Sequence, residues 1–330
     1  MITRITRMLL LAQVAIAAAL CAAMAKIWHI DNLALSIASG FGLVVAARLL
    51  INANNFFISW IYRSETPAAF RLGRRAALRM FRDEFKASMT SSSWTMAFHA
   101  FKKRPASNPA GLPVLLIHGY GCNSGYWHSM SQALARARIT HYAIDLEPVF
   151  AGIEEFVPLV HEAVEAVCRE TGHAKIILVA HSMGGLVARA YLRERGSSRI
   201  AKVITLGTPH QGTALANFGT GSNSKQMCWR GKRGNGSACE WLRELDRAED
   251  RATRALFVSL YSHHDNIVSP QTSSCLAGAV NIEFHGIGHV ALASSPVIQQ
   301  RVVAEILATD LQRPAQDNSV IAAAVSTAYR

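Results

Sequence analysis

From Gly111 onward, short apolar runs alternate with stretches in which apolar residues return every three or four positions. Mainly apolar runs of four to six residues predict buried strands at 114–117, 140–144, 176–180, 203–206, 256–261 and 280–284. Between the second and third, Phe156, Val160, Val164 and Val167 define one face of a helix that stops near Gly172. This alternation predicts an α/β domain, a mostly parallel sheet flanked by crossover helices. No internal repeat interrupts it.

Upstream of Gly111 the pattern differs. Met8 to Ala25 is an uncharged run of 18 residues, and after a polar break at Lys26, His29 and Asp31 a second uncharged run extends from Asn32 to Ala47. With Arg48 snorkelling from a helix end, the second run continues through Ile51. Each approaches the roughly 20 residues that span a bilayer, so two membrane segments are expected, at about 8–25 and 32–51. The alternative for the first is a cleaved signal peptide. Half of all residues are hydrophobic, 17% are charged, and the mean hydropathy of +0.16 agrees with a chain that meets lipid. The net charge of +12 is unevenly placed: between Arg63 and Arg104 ten basic residues face three acidic ones. Arg71, Arg74, Arg75, Arg79 and Arg82 fall on one arc of a helical wheel, with Leu72, Ala76, Met80 and Phe81 mainly outside it. The expectation is a basic helix lying on an anionic membrane, the alternative a solvated helix face. No nucleic-acid motif accompanies the charge. Arg4 and Arg7 before the first run, and the arginines after the second, put both outer ends and the domain after Gly111 on the cytoplasmic side of the membrane. An interfacial second run would move the domain to the outer face.

The chemistry is concentrated in Ala180-His181-Ser182-Met183-Gly184-Gly185, which follows the apolar run 176–180 and opens a helix. A strand, a small-x-Ser-x-Gly turn and a helix make a nucleophile elbow, with Ala180 in place of the usual first glycine. Ser182 is the expected nucleophile and the Met183 N–H one oxyanion donor. The strand 114–117 leads into His118-Gly119-Tyr120-Gly121, whose Tyr120 N–H is the expected second donor, because an acyl-transfer intermediate needs two. His118 is read as a structural hydrogen-bonder. In this fold the acid and then the histidine follow the serine. Asp265, just past the run 256–261, and His289, just past 280–284, are the expected orienting acid and general base, with Asp145 as fallback acid. Histidines 181, 210, 263, 264 and 285 are assigned structural or surface roles.

Together with Gly207-Thr208-Pro209-His210-Gln211-Gly212-Thr213, Asp145-Leu146-Glu147-Pro148 and the two N-terminal apolar runs, the elbow resembles the α/β-hydrolase lipases and esterases of bacteria, over residues 111–312. Asp145-Leu146-Glu147-Pro148 and the two apolar runs resemble a proteobacterial membrane-associated, triacylglycerol lipase-like branch, which implies a bacterial inner membrane. The expected organisation is an anchor (1–62), a basic juxtamembrane helix and linker (63–110), an α/β-hydrolase domain (111–312) with a lid-like insertion at 214–249, and a peripheral tail (313–330). Tyr120, Trp127, Leu215 and Phe218 are expected to line the acyl pocket, with core packing the alternative for Tyr120 and Trp127. The resemblance implies ester hydrolysis through an acyl-serine on lipid or other apolar esters, without cofactor or metal. The same triad serves an acyltransferase or thioesterase, and a membrane scaffold carrying an inactive hydrolase domain is the reading from another class. Cys228, Cys239 and Cys275 lie in loop-like sequence, where one disulfide could form in an oxidising compartment.

Overall fold

The computed structural model describes residues 1–26, 32–232 and 235–311. Most of the polar break, at His29 and Asp31, and the tail 313–330 lie outside the described residues. Seven strands form one sheet: β1 (Lys103–Arg104), β2 (Val114–Ile117), β3 (His141–Ile144), β4 (Ile176–His181), β5 (Ile200–Leu206), β8 (Phe257–Ser262) and β9 (Val280–Phe284). Their order is β1-β3-β2-β4-β5-β8-β9, parallel throughout except for β1, which runs antiparallel to β3. All six expected strands are present.

Alternation along β2 shows how the sheet is covered. Leu115 and Ile117 face one core with Val160 and Val164 of α5 (Val157–Thr171) and Leu186 of α6 (Met183–Arg195). Val114 and Leu116 face the opposite core with Met130 and Leu134 of α4 (His128–Arg136) and Ile298 and Val302 of α8 (Pro296–Leu311). Because β2 and β4 are apolar on both faces, they are buried between two helical layers, which is why the sequence gives unbroken apolar runs there. Each fully buried Leu, Val or Ile contributes about 1.5–3 kcal/mol.

The N-terminal segment is a helical hairpin of α1 (Ile2–Lys26) and α2 (Leu33–Tyr62). The helices approach closely at Gly40, where a Cβ would lie 2.6 Å from the Ala17 carbonyl oxygen. Both helices are long and apolar enough to cross a membrane, and most of their large side chains, among them Met8, Leu11, Phe41 and Leu50, are exposed. The two outer ends, by contrast, are rooted in the domain. Ile2 is buried and its N–H donates to Glu147 (2.9 Å), and Asn123 donates to the Thr3 hydroxyl (2.9 Å). At the other end Ser59 is buried against the loop after β8.

Residues 63–110 do more than link. Lys103 and Arg104 add an edge strand to the sheet, so a boundary at Gly111 cuts through it. The basic helix α3 (Arg74–Thr90) turns Arg74, Arg75, Arg79, Arg82 and Lys86 outward, buries Met80 and Glu84, and stacks Phe81 against Phe56 of α2 at 5.5 Å. The insertion contains a hairpin, β6 (Trp229–Lys232) with β7 (Asn235–Ala238), and α7 (Glu240–Ala248). It is fastened by Glu249, which receives two hydrogen bonds from the buried Arg189 of α6 (2.6 and 2.8 Å). Cys228 and Cys239 face each other across the base of the hairpin, with the Cys239 N–H donating to the Cys228 carbonyl (3.0 Å), and all six cysteines are free thiols.

Candidate active site

Ser182 sits between β4 and α6 with φ 54° and ψ −127°, a left-handed conformation that a non-glycine residue adopts only when its surroundings impose it. The imposition is visible. The Ser182 N–H donates to Leu206 (2.9 Å), its carbonyl accepts the Thr208 hydroxyl (2.9 Å), and α6 starts so close to β2 that a Cβ on Gly184 would lie 2.5 Å from the Ile117 oxygen. The glycine two residues after the serine is therefore required by backbone approach. Ala180, the departure at the other position, is fully buried in the core.

The loops after β8 and β9 bring Asp265 and His289 together. The His289 Nδ1–H donates to Asp265 Oδ2 at 2.7 Å, and both residues are buried. Asp265 Oδ1 accepts the N–H groups of Ile267 (2.8 Å) and Val268 (2.7 Å), which fixes the carboxylate plane. Burial draws the His289 imidazole toward its neutral form, but the charge and hydrogen bond of Asp265, with the charge of Glu84, outweigh it and hold its pKa above the ordinary value. The ring of His181, the residue before the serine, lies 4.5 Å from that of His289, and its Nε2 is 3.2 Å from the His289 carbonyl oxygen. Ser182 and His289 are thus neighbours through His181. Among the described residues no hydrogen bond joins Ser182 Oγ to His289 Nε2.

Tyr120 follows Gly119, where a Cβ would lie 2.8 Å from Ser182 Cβ, and Met183 opens α6. Neither backbone N–H meets an acceptor among the described residues, so both remain available to a developing oxyanion. His118 donates through Nδ1 to Gly119 (2.9 Å) and accepts the Leu146 N–H at Nε2 (2.9 Å). Burial holds it below its ordinary pKa, and both ring nitrogens are committed to shaping the Tyr120 loop. Asp145 accepts the Ser124 N–H (2.6 Å) and lies 3.9 Å from His118, whereas the carboxylate on His289 belongs to Asp265. His263 pairs with Glu283 (3.2 Å) and His264 accepts the Gly286 N–H (3.2 Å).

The expected pocket residues divide. Tyr120 is half-buried and donates its hydroxyl to the Thr220 carbonyl (2.9 Å), joining the oxyanion loop to the insertion. Leu215 is partly buried and Phe218 is 68% exposed, beside that junction. Trp127 is a correction: it is fully buried in the core against Tyr126 (5.3 Å) and has no open face to offer an acyl chain.

Three further residues hold the site and were not singled out in the sequence. Glu84 of α3, only 1% exposed, accepts the N–H groups of Val290 (3.0 Å) and Ala291 (2.9 Å), capping the turn that begins at His289. Burial raises its pKa, opposed by those two bonds and the His289 charge. Asn266 accepts the His289 N–H (2.9 Å). Ser59 of α2 donates to the Asp265 carbonyl (2.8 Å). One signal for Glu84 was available: it stands four residues after Met80, on the apolar side of an otherwise basic helix, where a carboxylate implies a buried partner.

The sheet order, the strained serine turn and the acid–histidine pair define an α/β-hydrolase-fold protein. Residues 113–227 match the family described as alpha/beta hydrolase fold. Two curated triacylglycerol lipases, from Pseudarthrobacter phenanthrenivorans and Burkholderia plantarii, are each 30% identical over 119 residues, which is 32% of this chain and 35% and 32% of theirs. The chain therefore matches about a third of the length of these relatives. Among solved structures, a Bacillus licheniformis lipase in its mature form superposes with a TM-score of 0.54 at 18% identity, covering 63% of this chain and 97% of that one, a likeness of fold.

Proposed function

We propose that the protein hydrolyses carboxylic esters with apolar acyl groups, through an acyl-Ser182 intermediate, while anchored in a membrane. The observation that carries the reading is the buried 2.7 Å hydrogen bond from His289 to Asp265 beside a serine held at φ 54°. In this reading His289 Nε2 takes the Ser182 proton as Oγ attacks the ester carbonyl. Asp265 holds the imidazole tautomer and stabilises the imidazolium. The N–H groups of Tyr120 and Met183 receive the oxyanion, each worth about 3 kcal/mol in the transition state. His289 then protonates the leaving alcohol, and water repeats the sequence to free the acid. The relatives named triacylglycerol lipase favour a lipid ester as substrate.

The apolar hairpin supports the membrane part. Side chains as exposed as those of α1 and α2 form an apolar surface far larger than a water-soluble monomer carries. At 30 residues α2 is about 45 Å long, more than the roughly 30 Å hydrocarbon core, and its last part buries Asn52 and Ser59 while Phe57 and Trp60 stay exposed. Both outer ends meet the domain, so Arg4, Arg7 and the outward face of α3 share its side of the bilayer, which favours the cytoplasmic side.

The test is labelling with a fluorophosphonate probe. The full-length protein is expected to take up one equivalent and Ser182→Ala none. Equal labelling of the two would place the nucleophile elsewhere.

A further inference from the structure

A cavity of about 600 Å³ opens between the helical hairpin and the loops that carry Asp265 and His289. Ser182 does not line it. Its wall on the hairpin side is graded along the helix axes: Ile16, Leu43, Val44 and Ala47 lie toward the hairpin tip, and Arg48, Asn52 and Asn55 follow toward the domain. From Leu43 to Asn55 is about 18 Å of helix. The domain end is closed by Ile267, two residues after Asp265, and by Val290, next to His289, with Glu84 between them and α3.

The polar level of this cavity is incompletely satisfied. Asn52 is 5% exposed and its amide nitrogen has no hydrogen-bond partner among the described residues. This leaves an unspent donor one helical turn from Arg48. Arg48 donates to Gln13 (2.9 Å) through Nε and to Ser92 (2.9 Å) and Ser93 (2.7 Å) through Nη1, with the Met89 sulfur at 3.4 Å. The two serines belong to a π-helical turn (Ser91–Thr95) that continues α3 and delivers both hydroxyls to the guanidinium. All of these partners are neutral. Among the described residues no carboxylate pairs with Arg48, and its Nη2 group makes no bond. A guanidinium fixed by neutral groups at the mouth of an apolar groove fits a phosphate or similar anion attached to a hydrocarbon chain. Both oxygens of Glu84 are taken by the Val290 and Ala291 N–H groups, which keeps the anionic end of the occupant at the Arg48 level.

We propose that this cavity binds one anionic phospholipid from the bilayer. Its phosphate rests on the Arg48 guanidinium, one helical turn from Asn52, and one acyl chain lies along Ile16, Leu43, Val44 and Ala47. The inference rests on the membrane reading of α1 and α2 given above. Because Ile267 and Val290 face the bound lipid while Ser182 does not, the lipid is a ligand that braces the acid and base loops, and it is not the molecule being cleaved.

The test uses the full-length protein in neutral detergent, mixed with equal amounts of palmitoyl-oleoyl phosphatidylglycerol and phosphatidylcholine, with retained lipid counted by native mass spectrometry. One phosphatidylglycerol per chain is expected, preferred by about tenfold over phosphatidylcholine, whose own ammonium offsets the attraction of its phosphate to the guanidinium. Arg48→Gln should bring that preference to within about twofold, and Val44→Trp, which fills the groove, should remove the retained lipid. Thermal melting identifies a variant that fails to fold, and Arg48→Gln decides the matter if Val44→Trp is the one that fails. Retention of no lipid by the wild type, or an unchanged preference in Arg48→Gln, overturns the proposal. Resistance of the wild type to carbonate extraction from vesicles is measured separately, so an absent anchor and an empty cavity give different results.

Discussion

Glu84→Gln is the substitution that most directly probes how the N-terminal segment reaches the catalytic loops. Each oxygen of the Glu84 carboxylate accepts one N–H of the turn after His289, at 3.0 and 2.9 Å. An amide replaces one acceptor with a donor, so one buried N–H is left facing N–H hydrogens, at about 1–3 kcal/mol. The turn relieves this by moving, and a displacement of about 1 Å in a catalytic group can cost on the order of 100-fold in rate. A fall of about 10- to 100-fold in kcat/KM for p-nitrophenyl butyrate is therefore expected, with a lowered Tm. A second effect has a definite sign. The Glu84 charge is one of the groups holding the His289 pKa up, and the reaction needs neutral His289. In the wild type activity rises with pH through a value above the usual histidine pKa of about 6.5. Removing the charge moves that limb to lower pH, so the variant keeps a larger share of its own maximum in mild acid. Asp83→Asn, an exposed neighbour paired with Arg82, serves as control and should change neither quantity. An unaltered acid limb in Glu84→Gln, together with an unaltered rate, would refute the reasoning.

Further outcomes follow from the same contacts. Asp265→Asn should keep the loop but disfavour the tautomer that donates from Nδ1, lowering kcat by up to about 10⁴ in the same ester assay; a loss below tenfold would move the acid to another residue. A fragment beginning at Gly111 loses Ser59, Glu84 and β1 together and should be inactive even on soluble esters, whereas retained activity would show that the Asp265 and His289 loops stand without them. Activity of the full-length protein on long-chain esters in anionic vesicles should fall as salt rises from 0.05 to about 0.5 M, because each basic residue near the surface is worth about 1 kcal/mol and is screened; hydrolysis of soluble esters should not follow. A parallel decline of both would remove the electrostatic role of α3.

The residues that were legible in the sequence are those whose setting is local. β2 and β4 are apolar on both faces and announce themselves as runs, and Ser182 lies in a strand–turn–helix whose small residues are needed by contacts only a few positions away. Asp265 and His289 were placed by chain order and by the strands before them. What sequence alone did not give depends on partners far along the chain. Glu84 stands beside Arg82, Asp83 and Lys86 and looks like one more surface charge, yet its partners are more than 200 residues away. β1 is two exposed basic residues, with no apolar pattern to mark a strand, and exists because β3 leaves an edge free. Trp127 stays open between pocket and core in the sequence, because an aromatic next to the serine loops reads the same either way, and its burial decides for the core.

A hairpin rooted at both ends behaves differently from a flexible tether. A tether of disordered chain lets a catalytic domain roam through a volume, and its substrate can lie at many heights above the bilayer. Here the start of α1 is held at Asn123 and Glu147, and the end of α2 at the Asp265 loop. With the hairpin in lipid, the serine stands at one fixed elevation over the headgroups. On the proposed reading selectivity would acquire a vertical coordinate: an ester would be cleaved according to how far its carbonyl can rise from the membrane plane, and turnover would follow the mole fraction of substrate in the surface rather than its concentration in the surrounding water.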